Sequence, residues 1–306
     1  GYSFDTSNLT TIQATATGLT ADTIDYLRGD SSNEQQNGGL LRNRPKVDSA
    51  INVLGDIVNS DPVYVNNQSF GYHRLGGGEG TAYTAFRNSS TYKNRKPMLY
   101  VGANDGMLHG FYVGEDTTVP PDGTLENATD GTQPGQELFA FIPKSVHSNL
   151  QALTEPSYTH KYYVDGSLHF GDAYINAYGS GAQWRSVLVG STGAGGSGIF
   201  ALDVTEPDDF KTVSTGKTRI LWEKDNSSPG FEDLGYTIGN PTIVLLENGT
   251  WAAVFANGYN SASGKAVIYI VDLTDGSLIT SFDSGLAGNG MSTPAVVDTD
   301  GNQKAD

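Results

Sequence analysis

Oxygen-bearing side chains recur at regular spacing in residues 298–306. They stand at positions 1, 3, 5 and 9 of this segment, with a glycine at position 4: Asp298, Asp300, Asn302 and Asp306. Alternate side chains of a tight turn can converge on one ion, and Ca²⁺ takes about six to eight oxygen ligands. The segment therefore predicts a calcium loop, with the backbone carbonyl of Lys304 as a further ligand. The alternative is an ordinary Asp-Gly-Asn hairpin turn.

A second short motif is Arg28-Gly29-Asp30, an integrin-type tripeptide. It follows a segment with helix signals, in which Thr20 is a candidate N-cap and Gly29 a candidate C-cap. The alternative to receptor binding is that Arg28 pairs locally and Gly29 only ends the helix. The polar residues 1–19 before this short N-terminal helix are expected to be extended or loosely ordered.

The sequence contains no recognisable catalytic motif. Cysteine is absent, which excludes disulfides, cysteine nucleophiles and thiolate metal sites. No Gly-x-Ser-x-Gly elbow occurs, and the glycine-rich stretch 190–198 lacks the lysine of a phosphate loop, so it is predicted to be a hairpin loop. The histidines show no zinc-binding spacing: His73, His109, His147, His160 and His169.

Charge and hydropathy narrow the possible partners. The formal net charge is −16 over 306 residues, which disfavours binding to nucleic-acid phosphates and favours cations or basic surfaces. No apolar run approaches the ~18 residues that cross a bilayer. The first residue is not Met and no signal peptide is visible, so the sequence is interpreted as an internal piece of a longer exported chain.

A repeating unit is visible from about residue 54 onward. Its clearest copy has four strand-like runs joined by turn signals, including Asn248-Gly249 and Asp275-Gly276, which suit type I′ hairpins. The runs of this copy are 241–247, 251–257, 267–272 and 278–282. Related starts near 55, 170 and 288 carry similar polar residues, in most cases followed by Pro and a β-branched run.

Four-stranded antiparallel meanders in series predict an all-β fold, a β-propeller, and a β-sandwich explains the recurring start less well. Residues 1–46 are predicted to be an N-terminal extension with a short helix and a loop. Residues 47–306 are predicted to be an incomplete propeller of about three blades, with the first strand of a fourth at 294–298. Because closure protects blade edges, the sequence is expected to be truncated.

Several ordered segments resemble the C-terminal propeller of the type IV pilus-tip adhesin family (the PilC/PilY type). They are residues 26–30, 54–62, 100–109, 137–143, 164–173 and 198–203. The resemblance extends over about residues 24–306. It implies a modified quinoprotein-like propeller that lacks the enzyme's function. The family's large N-terminal region and its later blades lie outside this sequence.

The resemblance also implies a function. Such a protein is extracellular, lies at the pilus tip with minor pilins as partners, and attaches to host or abiotic surfaces. It affects pilus biogenesis, extension and retraction, and twitching motility, and it does not insert into the membrane through this region. The family's calcium loop is a nine-residue turn with ligands at the positions of Asp298, Asp300, Asn302 and Asp306. Arg28-Gly29-Asp30 lies in a context similar to the integrin-type motif of one member class.

Two other functions remain open. A carbohydrate-binding surface propeller without a pilus role is compatible with the 16 tyrosines. A quinone-dependent dehydrogenase is disfavoured, because many such enzymes use adjacent cysteines and three blades do not enclose a cofactor. Glycan binding without a pilin partner would indicate the first, and absorbance after quinone reconstitution would indicate the second.

Overall fold

A computed structural model describes residues 1–115 and 123–306, which are mostly β-structure. A small hairpin of β1 (Lys46–Val47) and β2 (Ala50–Ile51) comes before three four-stranded antiparallel sheets. The first sheet contains β3 (Val63–Val65), β4 (Met98–Gly102), β5 (Leu108–Tyr112) and β6 (Glu137–Phe141). The second contains β7 (Leu168–Ile175), β8 (Gln183–Ser191), β9 (Gly198–Asp203) and β10 (Ile220–Asp225). The third contains β11 (Thr242–Leu245), β12 (Trp251–Ala256), β13 (Lys265–Asp272) and β14 (Leu278–Ala287).

Short helices connect and flank the sheets. The α-helices are α1 (Leu9–Gln13), α2 (Ala21–Leu27), α3 (Glu79–Asn88), α4 (Ser90–Lys93) and α5 (Val213–Gly216). The 3₁₀ helices are Thr6–Asn8, Gln35–Asn37, Tyr72–Arg74, Lys144–Thr154, Gly193–Gly195, Pro207–Lys211 and Lys217–Arg219. Among the described residues, none of these helices has the length and apolarity needed to cross a bilayer.

The prediction of four-stranded antiparallel blades is confirmed, because each sheet pairs its strands in chain order. The innermost strands β3, β7 and β11 are neighbours in that order, and one apolar cluster lies between each pair of adjacent sheets. In the described part of the chain the three sheets do not close a ring. Both faces of the second sheet are covered by a neighbouring sheet, which is why its strands β8 and β9 are buried almost continuously rather than at alternate residues.

The predicted type I′ turns are wrong. Gly249 and Gly276 have positive φ, whereas Asn248 and Asp275 do not, and a type I′ turn needs positive φ at both central residues. In the first turn Gly249 N donates to Leu246 O at 2.9 Å. A type I turn followed by a left-handed glycine also matches the twist of the strands, so the dipeptide marks the hairpin without determining its turn type.

The predicted helix after Thr20 is confirmed as α2. The prediction that residues 1–19 are extended or loosely ordered is wrong. Thr20 caps α2, since its Oγ1 accepts from Thr23 N at 3.3 Å. Residues 1–19, however, include α1 and bury Ile12 and Leu19 in an apolar cluster with Leu150. Part of their cover comes from a distant 3₁₀ helix. Apolar side chains of this segment recur at the three- and four-residue spacing of a helix face, a signal that sequence reasoning missed: Leu9, Ile12, Ala16 and Leu19.

The predicted strand at 294–298 is also absent: these residues belong to no strand. Val297 is 57% exposed, although its carbonyl accepts from Asp306 N at 3.1 Å. A run with strand propensity forms a strand only when a neighbouring strand supplies its hydrogen bonds. Here the segment turns back on itself and leads into residues 298–306.

An insertion between β3 and β4, which includes α3 and α4, is anchored by a buried carboxylate. Asp172 of β7 is fully buried. Its Oδ2 accepts from Tyr83 OH of α3 at 2.9 Å and from Tyr92 OH of α4 at 3.2 Å. Its Oδ1 accepts from Ser186 Oγ at 2.7 Å. Burial raises the pKa of Asp172, and these donors oppose the increase.

Candidate calcium loop and its surroundings

Residues 298–306 form a compact turn that is attached to the inner strand of the third sheet. Ala305 N donates to Leu245 O at 2.7 Å. Gly301 has a φ of +77° and Gln303 a φ of +70°, and left-handed backbone tightens a turn enough for alternate side chains to face one point. The positive φ of Gln303, unusual for a residue with a side chain, shows how tightly this segment is turned.

The turn brings three of the predicted ligands together. One carboxylate oxygen from each of Asp298, Asp300 and Asp306 lies within 4.8 Å of the other two, and all three side chains are exposed. Oxygens on opposite sides of a calcium ion, each at about 2.3–2.6 Å from it, lie about 5 Å apart. The donor set therefore fits Ca²⁺, which prefers hard, negatively charged oxygens.

Backbone donors hold two of these carboxylates in place. Asp298 Oδ1 accepts from Gly301 N at 2.7 Å, and Asp298 Oδ2 accepts from Gln303 N at 2.7 Å. Asp306 Oδ2 accepts from Thr299 N at 2.6 Å and also from the Thr299 hydroxyl. The Thr299 side chain, followed by its backbone N–H, lowers the pKa of Asp306. Both carboxylates are thus oriented before any cation arrives.

Asn302 and Lys304 are turned partly toward Glu247, in the β11–β12 turn. Asn302 Nδ2 donates to Glu247 Oε1 at 2.8 Å, and Asn302 Oδ1 accepts from Lys304 N at 2.7 Å. Lys304 Nζ donates to Glu247 O at 3.1 Å, which directs its positive charge toward the β11–β12 turn. The roles of Asn302 Oδ1 and the Lys304 carbonyl as ligands stay predictions.

Gln303 adds a contact that sequence reasoning missed. Its Nε2 donates to Gly71 O at 3.2 Å, across 232 positions of the chain. Next to Gly71, the Tyr72 ring stacks on Trp184 at 5.4 Å and meets Trp251 edge-on at 4.9 Å. The loop therefore touches the insertion that packs between the second and third sheets. No local signal in the sequence pairs these residues.

Arg28-Gly29-Asp30 forms the end of α2. Gly29 N donates to Tyr26 O and Asp30 N to Asp25 O, both at 2.9 Å, and Gly29 has a φ of +107°. These two hydrogen bonds form a Schellman cap, so Gly29 ends the helix, as the alternative to receptor binding expected. Arg28 and Asp30 remain exposed. Arg28 Nη1 donates to Phe4 O at 2.9 Å, and Asp30 Oδ1 accepts from Ser32 N at 2.7 Å. Receptor binding by this turn stays a prediction.

His109 of β5 lies between two carboxylates. Its Nδ1 is 2.5 Å from Glu137 Oε1 and its Nε2 is 3.1 Å from Asp105 Oδ2. Burial by itself lowers the pKa of His109, but the hydrogen bonds to Asp105 and Glu137 outweigh burial and raise it to about 9. Both ring nitrogens therefore carry protons near neutral pH, and a fully protonated imidazole cannot bind a metal.

The comparison with known families agrees with this architecture. A family model described as the PilY1 beta-propeller domain matches residues 54–306. The chain belongs to the PilY1 β-propeller family. The crystal structure of the Pseudomonas aeruginosa PilY1 C-terminal domain is 36% identical, with a TM-score of 0.50, over 73% of this chain and 37% of that one.

Curated relatives extend the match toward the N-terminus. A type IV pilus biogenesis factor PilY1 homolog of Xylella fastidiosa is 37% identical over 92% of this chain. The type IV pilus biogenesis factor PilY1 of Pseudomonas aeruginosa is 38% identical over 94% of it. The chain spans only 18% and 21% of the lengths of these two relatives. The resemblance inferred from the sequence is confirmed at the level of the family.

Proposed function

We propose that this chain is the propeller module of a type IV pilus biogenesis factor, located at the cell surface and associated with the pilus. The observation that carries this proposal is the family match over residues 54–306, together with relatives named as pilus biogenesis factors. The module has no enzymatic role in this proposal. It acts by contact with minor pilins at the pilus tip and with host or abiotic surfaces, in twitching motility and adhesion.

The proposed function includes binding of one Ca²⁺ in residues 298–306. Asp298, Asp300 and Asp306 would hold the ion, with the Asn302 side chain and the Lys304 carbonyl as further ligands. The three carboxylate oxygens that lie within 4.8 Å of one another support this assignment. The ion would neutralise their mutual repulsion and stiffen the turn. It would alter pilus behaviour only if two states of the protein differ in ion affinity.

Isothermal titration with CaCl₂ tests the ion site. We expect one ion per chain for the wild type and a loss of affinity of at least tenfold for Asp298→Ala. Asp61→Ala is the matched control, because Asp61 is an exposed aspartate far from the loop in sequence. No heat with wild type, or equal affinity for Asp298→Ala and Asp61→Ala, would reject calcium binding by this loop.

The pilus role is tested in the parent protein, in its own bacterium. Deletion of residues 54–306 is expected to reduce surface pili and twitching zones. Asp306→Ala, which leaves the propeller intact, is expected to remove any calcium dependence of twitching. Normal piliation and motility after the deletion would refute the pilus role. Motility that depends on calcium equally in the wild type and in Asp306→Ala would refute the role of the calcium loop in motility and leave the pilus role standing.

A further inference from the structure

A polar cleft lies at the junction between the N-terminal segment and the second sheet. Its volume is about 360 Å³, at the small end of the ~300–1,000 Å³ typical of ligand pockets. Thr15 follows α1, Ser148 belongs to the 3₁₀ helix Lys144–Thr154, Ser197 lies in the β8–β9 turn, and Asn226 follows β10. Four separate segments therefore build one concave surface.

The charged groups of this cleft neutralise each other. Among the lining residues that the structure describes, only Lys144 and Asp225 are charged, and Lys144 Nζ lies 3.7 Å from Asp225 Oδ2. An anionic ligand would meet the Asp225 carboxylate, and a cationic ligand would meet the Lys144 ammonium. A neutral ligand avoids both penalties.

The rest of the lining is rich in hydroxyl groups, which both donate and accept hydrogen bonds. Thr15 Oγ1 already bonds to His147 Nδ1 at 2.7 Å. Ser145 Oγ, by contrast, is shielded from solvent and has no hydrogen-bond partner in the part of the chain that the structure describes. The Ser145 hydroxyl packs against Gly198, so the hydroxyls of Ser148 and Ser197 are the ones open to a ligand.

We propose that this cleft binds a neutral sugar residue, either a free monosaccharide or the terminal unit of a glycan. Each sugar hydroxyl can donate one hydrogen bond and accept others, which the serine and threonine hydroxyls and the Asn226 amide can match. Asp225 Oδ1 already accepts from Ser227 and Ser228, so Asp225 Oδ2 would accept from one sugar hydroxyl while Lys144 donates to its neighbour. The cleft is far from residues 298–306 in sequence and shares no residue with them, so this site is independent of the proposed calcium loop.

Saturation-transfer NMR on the 306-residue chain tests the proposal, with glucose, galactose, mannose and N-acetylglucosamine as probes. We expect saturation transfer to at least one of them. Asn226→Ala, at an exposed position, should weaken that sugar about fivefold, the effect of one lost hydrogen bond. Asn67→Ala, an exposed asparagine after β3, is the control and should bind as the wild type does.

Three results would overturn the sugar site. The first is the absence of transfer to all four sugars. The second is wild-type affinity in both Asn226→Ala and Ser148→Ala, with folding verified by circular dichroism. The third is binding of inorganic phosphate at the same residues, tracked by chemical shifts, in preference to the sugars.

Discussion

Stability should fall as pH rises through the titration of His109. Its imidazolium is 5% exposed and lies between Asp105 and Glu137. The pKa of His109 rises from 6.5 to about 9 in the folded protein. A raised pKa means that the folded chain holds the proton more tightly than the unfolded chain. The stabilisation is therefore fully present below pH 6.5 and is lost as pH rises through 9.

The size of the effect follows from that difference in pKa. At about 1.4 kcal/mol for each pKa unit, the free energy of unfolding falls by at most about 3 kcal/mol when His109 loses its proton. The Glu137 side chain is 43% exposed, so solvent screens part of its attraction, and we expect about 2 kcal/mol. With an unfolding entropy of about 2.1 cal/mol/K per residue, this corresponds to a decrease in Tm of about 3 °C.

Urea unfolding at several pH values between 6.5 and 9.5 measures the effect directly. Over this pH range the free energy of unfolding of the wild type should fall by about 2 kcal/mol more than that of His109→Gln. His73→Gln, at an exposed histidine, should follow the wild type. Parallel stability curves for the wild type and His109→Gln would refute the reasoning, as would an NMR titration that places the His109 midpoint near 6.5.

Two further changes test contacts that hold the insertion between β3 and β4. Tyr83→Phe should lower the free energy of unfolding by about 2–3 kcal/mol, because Asp172 loses a donor and Phe70 N loses its acceptor; urea unfolding no different from that of the exposed-site control Tyr64→Phe would contradict this. Gln303→Ala should speed hydrogen exchange at residues 70–75 about fivefold, because the bond to Gly71 O is lost; unchanged exchange there would show that the loop and the insertion are not coupled.

Local sequence signals predicted the blades well. The strands of the third sheet begin and end within two residues of the predicted runs, except that β14 continues to Ala287. Strand propensity and Asx-Gly turns act over neighbouring positions, which is why they can be read from the sequence. Thr20 and Gly29 likewise marked the ends of α2, since a cap is satisfied within one turn of helix. The spacing of acids in 298–306 also predicted which three carboxylates come together.

Long-range contacts could not be predicted in the same way. Ile12 is buried in a cluster that includes residues of a 3₁₀ helix more than a hundred positions later. The run 294–298 has strand propensity, yet no neighbouring strand pairs with it. Propensity describes what a segment can form alone, whereas burial and pairing depend on what the rest of the chain places beside it.

The sequence by itself determined the blade type, the capped helix and the oxygen-rich turn, because each is encoded within a few adjacent residues. Only the tertiary structure decided that Asp172 anchors the insertion, that His109 is held between two carboxylates, and that Gln303 reaches Gly71. These contacts join residues from separate segments of the folded chain. Their chemistry exists only after the sheets have packed and excluded water from the groups between them.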